Sequence, residues 1–322
     1  MKKPSKTYPM LDLMKLFCAI LVVGIHTEPF GSVDLLDKMF AVVTRIAVPF
    51  FFVTSAFFYF KKPITVQGYA QFAKRLASLY ISWVLIYIVV ALLRGVSIGF
   101  DQMVFLVFVQ GYGHFWYILA LIVSVGLCSA ALRLIKKPTV VFIIALLLYI
   151  WGALCSTYSN LFPFSDPIID RIDVRNGIHY GPVFVMLGYL FAQKKTPVMR
   201  TGKALLLSFF GFALLALEGI VGVVILKTES TILWFTTPLL MYGVYSACLR
   251  IRIRIPAETA MIMRKLSVGI YCVHPIIVDA LKSRGFENFP LFVLVTAVSC
   301  AISLWLISKS RESSSPVFEK LL

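Results

Sequence analysis

Long apolar stretches alternate with short polar breaks along almost the whole chain of 322 residues. Each stretch approaches the roughly 20 residues that an α-helix needs to cross a bilayer. Residues 102–113 fit either a short half-span or a re-entrant segment. The pattern predicts an all-α, polytopic integral membrane protein with about ten transmembrane helices, at residues 10–27, 39–60, 76–93, 115–135, 139–156, 178–193, 203–226, 231–249, 266–282 and 289–308.

The composition agrees with this pattern, because 60% of the residues are hydrophobic and only 14% are charged. Soluble domains carry about 25% charged residues. The N-terminal MKKPSKTYP resembles the charged region of a signal peptide. The apolar run after it carries Asp12 and Lys15 and has no A-x-A cleavage pattern, so we interpret it as a retained first span. The six cysteines lie in apolar runs without a C-x-x-C pair, which favours buried side chains over disulfides or a metal site.

The net charge of +16 is distributed unevenly between the two predicted sides of the membrane. Most lysines and arginines fall in breaks on the same side as the N-terminus, while most acidic residues fall on the other side. By the positive-inside rule, both termini are predicted to be cytoplasmic. The basic excess then reflects topology and contact with lipid headgroups of the bilayer, and a nucleic-acid partner is not expected.

The first predicted span contains three ionisable side chains that lipid rejects: Asp12, Lys15 and His26. Eleven residues separate Lys15 from His26, so both project from one helix face, roughly 16 Å apart along the axis. Asp12 stands at ion-pair spacing from Lys15. This face is expected to line a helix bundle or a wet cavity. The alternative is a snorkelling interfacial ion pair and a histidine at a helix end.

Other predicted spans carry polar groups near the predicted outer face or, in the case of Tyr271 and His274, in the middle of the membrane. Arg45 lies within the second predicted span, about two helical turns from its outer end, and an arginine at this depth needs an anion or a cavity. The remaining groups are His114, Trp116 and Tyr117 in GHFWYILALI, Arg175, Asn176, His179 and Tyr180 in RNGIHYGPVF, and Tyr271 and His274 before Pro275 in LSVGIYCVHP. Taken singly, each tryptophan and tyrosine fits an interfacial anchor.

Four sequence elements, in this order, resemble motifs of the acyltransferase 3 family of membrane acyltransferases, which includes bacterial O-acetyltransferases of cell-surface glycans. The resemblance runs from Leu11 to about Pro275. The elements are Lys15 to His26 with Asp12 before it; Arg45, Pro49, Phe50, Phe51, Phe52 and Ser55; His114 to Tyr117; and Ser267, Tyr271, His274 and Pro275. One element departs from the family. Many members carry two arginines three apart at the start of the third span, whereas KRLAS has Lys74, Arg75 and Ser78.

The resemblance implies an O-acyltransferase that moves an acyl group, with acetyl expected, from cytoplasmic acyl-CoA (acetyl-CoA) to a hydroxyl of an outer-side acceptor such as a cell-surface glycan. No bound cofactor and no metal are expected. His26 is the predicted catalytic base, since neutral imidazole can take the hydroxyl proton. The predicted donor- and substrate-binding residues are Asp12, Lys15, Arg45, Lys74, Arg75, His114, Trp116, Tyr117, Arg175, His179, Tyr271 and His274.

Within the family, RNGI and HFWYILALI are most similar to the membrane part of VanT-type serine racemases of vancomycin resistance. That likeness implies a second hypothesis, import of L-serine, with Arg45 and Arg175 binding its carboxylate and His26 and Asp12 relaying protons. A third interpretation is a bundle whose polar groups only pair with one another. We expect one transmembrane domain at 1–308 and a cytoplasmic tail or linker at 309–322, too short for a racemase domain, in a multi-pass protein of a bacterial cell membrane.

Overall fold

The structure is a computed structural model that describes residues 8–31, 34–95, 99, 103, 107, 113–162, 164–228, 232–312 and 321–322. Within these ranges the regular elements are helices. Apart from residues 103, 107 and 113, the predicted half-span or re-entrant segment at 102–113 lies outside the described residues.

The described residues form twelve α-helices and two other helical segments. In chain order they are α1 (Pro9–Thr27), α2 (Asp34–Thr44), α3 (Ala47–Tyr59), α4 (Val66–Leu93), α5 (Trp116–Ile135), α6 (Pro138–Cys155), α7 (Pro167–Ile172), α8 (Gly181–Ala192), α9 (Thr201–Ile220), α10 (Thr237–Arg250), α11 (Ala257–Lys282) and α12 (Asn288–Glu312). A 3-10 turn at Gly113–Phe115 leads into α5, and a π-helical segment at Val221–Ile225 continues α9.

Eight helical segments of the described chain are long and apolar enough to cross a membrane. They are Pro9–Thr27, Leu35–Tyr59, Val66–Leu93, Gly113–Ile135, Pro138–Cys155, Thr201–Ile225, Ala257–Lys282 and Asn288–Glu312. The predicted sixth and eighth spans correspond to the shorter helices α8 and α10. The prediction of an all-α, polytopic membrane protein is confirmed. The side of the membrane on which each end lies stays a prediction.

The second predicted span, 39–60, is interrupted between α2 and α3. Arg45 and Ile46 form a turn, and α3 begins at Ala47 with Pro49 in its first turn. Proline lacks an N–H, which costs least in a first turn, where the N–H groups have no helical partner. Pro49 therefore allows a helix start within an apolar run that the hydropathy pattern reads as continuous.

The third predicted span begins at residue 76, yet α4 begins ten residues earlier, at Val66. The Thr65 hydroxyl caps its start by accepting a hydrogen bond from the Gly68 N–H. Lys74 and Arg75 consequently lie within α4, and both side chains are exposed. Long basic side chains can keep their charges in water beside an apolar helix end. Hydropathy marks only the apolar part of this helix.

The chain divides into two compact units. Unit 1 comprises residues 1–47, 198–212 and 240–322, and unit 2 comprises residues 48–197 and 213–239. In unit 1, α1, α11 and α12 pack against one another, and α2 packs against α1. In unit 2, α5, α6 and α8 pack against one another, and α4 packs against α5.

Within unit 1, α1 and α11 run in the same direction. Asp12 near the start of α1 bonds to Arg264 in the first half of α11. Further along both helices, the His26 and His274 rings face each other with centroids 5.1 Å apart. Two segments at opposite ends of the sequence thus bring together polar side chains at both ends of one helix pair.

Helix α12 runs opposite to α1 and α11. Its first residue, Asn288, lies against Gly31 just after α1, and Arg311 near its end pairs with Glu258 near the start of α11. The bundle of α1, α11 and α12 therefore has polar contacts at each of its two ends. One end holds Asp12 and Arg264, and the other holds the two histidine rings.

In unit 2, α3 and α8 run in the same direction. The Phe52 and Tyr180 rings lie 5.7 Å apart at one end, and the Gln193 amide donates to the Phe60 carbonyl at the other. Between these contacts Gly188 brings α8 against the backbone of α3. Small residues permit such close helix approach in membranes, where packing and polar contacts drive association.

Candidate functional site

The Asp12 carboxylate is the most buried charged group in the first turns of α1, at 2% exposure. Lys15, one turn later, places its Nζ 2.6 Å from Oδ1. Arg264 of α11 donates from Nε to Oδ1 at 3.1 Å and from Nη2 to Oδ2 at 2.9 Å. A buried carboxylate is tolerated only when it is paired and hydrogen-bonded. Two cations and the positive end of the α1 dipole meet that need.

Arg264 was not among the predicted site residues, because it falls in the break between the predicted spans 231–249 and 266–282. It lies three residues before Ser267, where the Ser-x-x-x-Tyr-x-x-His-Pro element begins. A cation one turn before a polar helix face was the available signal. Its partner, 252 positions away, could not be read from spacing.

At the other end of the same helix pair, His26 of α1 lies beside His274 of α11, with the ring planes tilted by 44°. His274 is fully buried, and its Nδ1 is 2.9 Å from the Ile270 carbonyl oxygen. Since a carbonyl only accepts, Nδ1 carries a proton, and in the neutral ring Nε2 is the acceptor. Pro275 supplies no N–H to the Tyr271 carbonyl, so this turn of α11 is open to side-chain donors.

His26 itself is exposed, whereas its neighbours Val23, Gly24 and Thr27 on α1 are buried. Lys15 is 12% exposed. Helix α1 is continuous from Pro9 to Thr27, so the shared helix face predicted for Lys15 and His26 is compatible with the observed geometry.

Two other predicted site residues also belong to unit 1. Tyr271 is buried, and its ring centroid lies 6.4 Å from that of His274. Arg45 occupies the turn between α2 and α3 and is partly exposed, and its backbone N–H donates to the Val42 carbonyl at 3.1 Å. The structure therefore places six of the predicted residues in unit 1, namely Asp12, Lys15, His26, Arg45, Tyr271 and His274.

The other predicted residues lie in unit 2, where an aromatic cluster occupies the start of α5 and α8. The Tyr117 ring meets Phe52 edge-on at 4.9 Å, and its hydroxyl lies 3.3 Å from the Ser55 hydroxyl. The Trp116 ring lies 5.5 Å from that of Tyr180. Tyr117 thus packs as an aromatic side chain and also forms a polar contact with α3.

Arg175 is exposed and lies 5.9 Å from the centre of the Trp116 ring. Its guanidinium also binds the Asp173 carboxylate through Nε at 3.1 Å and Nη2 at 2.9 Å. A guanidinium above an aromatic face gains cation–π attraction. In this geometry an incoming carboxylate would compete with Asp173 for the Arg175 fork.

His179 is buried and sits in a fixed hydrogen-bond network. Its Nδ1 lies 3.1 Å from the Asn176 amide nitrogen, which can only donate, so Nε2 carries the proton. That Nε2 faces an Asp166 oxygen at 3.5 Å. The same carboxylate accepts from the Trp151 indole and caps the first turn of α7. These contacts give His179 a positioning role in the connection before α8, while its predicted substrate-binding role stays a prediction.

His114 and the basic pair on α4 complete the predicted set. His114 lies in the 3-10 turn before α5, with its ring centroid 5.5 Å from that of Tyr87. Lys74 and Arg75 are exposed, and Arg75 is near enough to Tyr117 to interact with it electrostatically. Among the described residues, no group of three or more His, Cys, Asp or Glu side chains is placed to hold a metal ion.

The Asp166–His179 pair predicts a loss of stability on acidification. Burial raises the pKa of Asp166, but hydrogen bonds from Trp151 and the backbone outweigh it, so its pKa lies below the ordinary value. Burial lowers the pKa of His179, and Asp166 restores it only in part. As pH falls below about 6.5, the unfolded chain takes up a proton on the histidine before the folded chain does. The aspartate adds to this loss below about 3.9.

We therefore expect the unfolding temperature of the purified protein in detergent to fall between pH 7 and pH 5. In His179→Gln, which keeps a donor and an acceptor but does not titrate, the fall should be smaller. Unfolding followed by intrinsic fluorescence across this pH range measures both profiles. Superimposable profiles for the variant and the wild type would contradict the assignment of His179 as the proton-sensitive group.

Comparison with known proteins identifies relatives over the whole transmembrane region. The family model Acyl_transf_3, described as an acyltransferase domain, matches residues 8–308. An amino-acid racemase of Enterococcus faecalis is 25% identical over 346 aligned positions, which cover 96% of this chain and 48% of that protein. A serine/alanine racemase of Enterococcus gallinarum is 28% identical, covering 82% of this chain and 40% of that protein. No solved structure matches.

The chain spans about half or less of the length of these curated relatives. The resemblance inferred from the four motifs is confirmed.

Proposed function

Because the chain belongs to the acyltransferase domain family whose model matches residues 8–308, we propose that it transfers an acyl group, acetyl in the first instance, from acyl-CoA to a hydroxyl group. The donor is on the cytoplasmic side, and the acceptor is an outer-side molecule such as a cell-surface glycan. The protein is a multi-pass membrane protein, and we place it in the cell membrane of a bacterium.

The observation that carries this proposal is the His26–His274 pair, with ring centroids 5.1 Å apart. His26 is exposed, whereas His274 is buried and hydrogen-bonded to the Ile270 carbonyl. An imidazole ordinarily titrates near pH 6.5, which suits a general base that acts near neutrality. His274 supports this role by fixing the position of its neighbour on α1.

The transfer step follows from this arrangement. The acceptor oxygen attacks the thioester carbonyl carbon while its proton moves to the His26 imidazole. The C–S bond then breaks, and the thiolate of coenzyme A takes the proton from the imidazolium. The ester and the free thiol are the products, and His26 is regenerated neutral. General-base catalysis of this kind contributes about 10²–10⁴-fold to a rate.

Lys15 is the proposed contact of the donor in unit 1. It lies on the His26 face of α1, roughly 16 Å away along the axis. An extended pantetheine arm bridges such a distance, so the phosphates and the thioester can occupy opposite ends of this face. In unit 2, taken by itself, Lys74 and Arg75 are separate candidates for binding donor phosphates, and His114 is a separate candidate for stabilising an oxyanion. Arg45 of unit 1 is a further candidate for the oxyanion.

The test is acyl transfer in liposomes containing the purified protein. Radiolabelled acetyl-CoA is supplied on one side, and candidate hydroxyl acceptors, beginning with cell-wall glycan fragments, are supplied on the other. We expect label to appear in the acceptor only when protein, donor and acceptor are all present. Persistent absence of transfer to any acceptor, with the protein folded and oriented, would refute the proposal.

A second candidate function is import of L-serine for a racemase, because the proteins similar to this chain include a serine/alanine racemase of Enterococcus gallinarum. The chain corresponds to only part of the serine/alanine racemase that it matches. Arg45 in unit 1 and Arg175 in unit 2 are separate candidates for binding the serine carboxylate, since a guanidinium matches a carboxylate bidentately. Labelled serine that accumulates in the same liposomes without any acyl donor would favour this function over acyl transfer.

A further inference from the structure

The end of unit 1 that holds Asp12 has an uneven pairing of charges among the described residues. Lys309 pairs with Glu312 at 2.8 Å, and Arg311 pairs with Glu258 at 3.0 Å, so each of these cations has a carboxylate of its own. Lys15 and Arg264 instead share the Asp12 carboxylate. Lys265 is hydrogen-bonded to the neutral Ser310 hydroxyl at 3.0 Å. Lys15, Arg264 and Lys265 therefore contribute to an excess of positive charge at this end among the described residues.

The three side chains of this ion-pair cluster, Asp12, Lys15 and Arg264, differ in exposure. The Asp12 side chain is 3% exposed and that of Lys15 is 12% exposed, but that of Arg264 is 54% exposed. Asp12 takes one hydrogen bond from Nε and one from Nη2 of Arg264. A guanidinium has five N–H donors in a planar fork, so three remain beyond those that Asp12 uses. The carboxylate holds Arg264 in place while much of the arginine stays open to solvent.

We propose that Arg264, held by Asp12 and reinforced by Lys15, binds a phosphate group of the acyl donor. The proposal deepens the proposed function and rests on it. An arginine fork matches phosphate geometry and forms charge-assisted hydrogen bonds that are stronger than neutral ones. Asp12 acts as a positioning residue, because it sets both cations on one side of the α1–α11 contact without touching the donor. The donor phosphate then binds at the opposite end of this helix pair from His26.

The competing explanation is that Asp12 and Arg264 only tie α1 to α11. Two substitutions separate the explanations, because they break the same tie with opposite effects on local charge. Arg264→Met removes a cation and keeps the length of the side chain. Asp12→Asn removes an anion and leaves both cations. A structural tie predicts similar effects of the two variants on donor binding, whereas a phosphate site predicts opposite effects.

The experiment measures binding of coenzyme A to the purified, detergent-solubilised protein by isothermal titration calorimetry at two salt concentrations. We expect Arg264→Met to weaken binding about tenfold or more, because one charge-assisted contact is lost. The salt dependence of binding should fall with it. Asp12→Asn should bind coenzyme A as tightly as wild type or more tightly. The matched control is Arg311→Met, which removes a cation from the same end of unit 1 and should bind like the wild type.

Three outcomes would overturn the inference. Arg264→Met could bind like Arg311→Met, or the Asp12 and Arg264 variants could weaken binding equally, in which case Arg264 is only a structural tie. In either case wild-type binding of coenzyme A leaves the proposed function standing. If the folded wild type binds no coenzyme A, the proposed function fails together with the inference. Arg264→Lys serves as the folding-safe variant, since it keeps the charge, and it should bind more tightly than Arg264→Met.

Discussion

His26→Ala is expected to reduce acyl transfer at least about a hundredfold, which is the lower end of the contribution of a general base. Binding of coenzyme A should stay within about twofold of wild type, because the donor cations lie at the other end of α1. This combination of lost turnover and retained donor binding is the signature of a residue that acts at the reacting atoms. Single-turnover transfer in liposomes and calorimetry on the same preparation measure the two quantities.

The control for this variant is Phe30→Ala, which removes an exposed ring one turn beyond His26. It should retain most of the activity. Imidazole added to the His26→Ala protein should restore part of the rate, since the small molecule can occupy the space left by the side chain and accept the proton. Full activity in His26→Ala, or equal loss in Phe30→Ala, would remove His26 from the chemistry.

Gly188→Ala is expected to destabilise unit 2 by about 1–3 kcal/mol through overpacking. A Cβ built on Gly188 lies 2.5 Å from the Val53 carbonyl oxygen and 2.9 Å from the Phe57 backbone nitrogen. Backbone atoms of α3 cannot rotate away as a flexible side chain can, so α8 would have to move. The gain in helix propensity from glycine to alanine, about 1 kcal/mol, offsets only part of this cost.

The matched control for the glycine variant is Gly202→Ala, because nothing lies within 4 Å of a Cβ built there. Both glycines lie in helices, Gly188 in the interior of α8 and Gly202 in the first turn of α9, so both substitutions gain helix propensity and the gain is larger at Gly188. Gly202→Ala should therefore be neutral or slightly stabilising. Equilibrium unfolding in mixed micelles gives the free energy for each protein. A Gly188→Ala protein as stable as Gly202→Ala would show that α3 and α8 are not in this close contact.

Hydropathy and charge predicted most of the helices because lipid selects strongly for uninterrupted apolar runs. Helix α1 was predicted within one residue at its start and matched at its end. The exact ends of the helices were harder to predict. The turn at Arg45 and Ile46 depends on Pro49, and the early start of α4 depends on basic side chains that lie along the helix. The proline leaves the mean hydropathy of a window almost unchanged, whereas the basic residues lower it, so the apolar part of α4 begins ten residues after the helix itself.

The candidate site could be predicted only where its residues share one helix. The 3.6-residue period placed Lys15 and His26 on one face of α1. The meeting of Asp12 with Arg264 and of His26 with His274 depends on α1 packing beside α11, which no local pattern encodes. Likewise, the network that buries His179 depends on Asp166 from a preceding connection. Such long-range contacts could not be predicted from local sequence patterns.

The ion pairs of Asp12 have a consequence for biosynthesis. Arg264 follows Asp12 by 252 residues, so at ordinary ribosome speeds it is made roughly ten seconds to one minute later. During that interval the nascent α1 already needs a counter-ion, and Lys15 on the next turn provides one at once. Lys15 thus compensates the charge of Asp12 within α1 itself, before α11 has been synthesised. The arginine arrives afterwards as the permanent second partner.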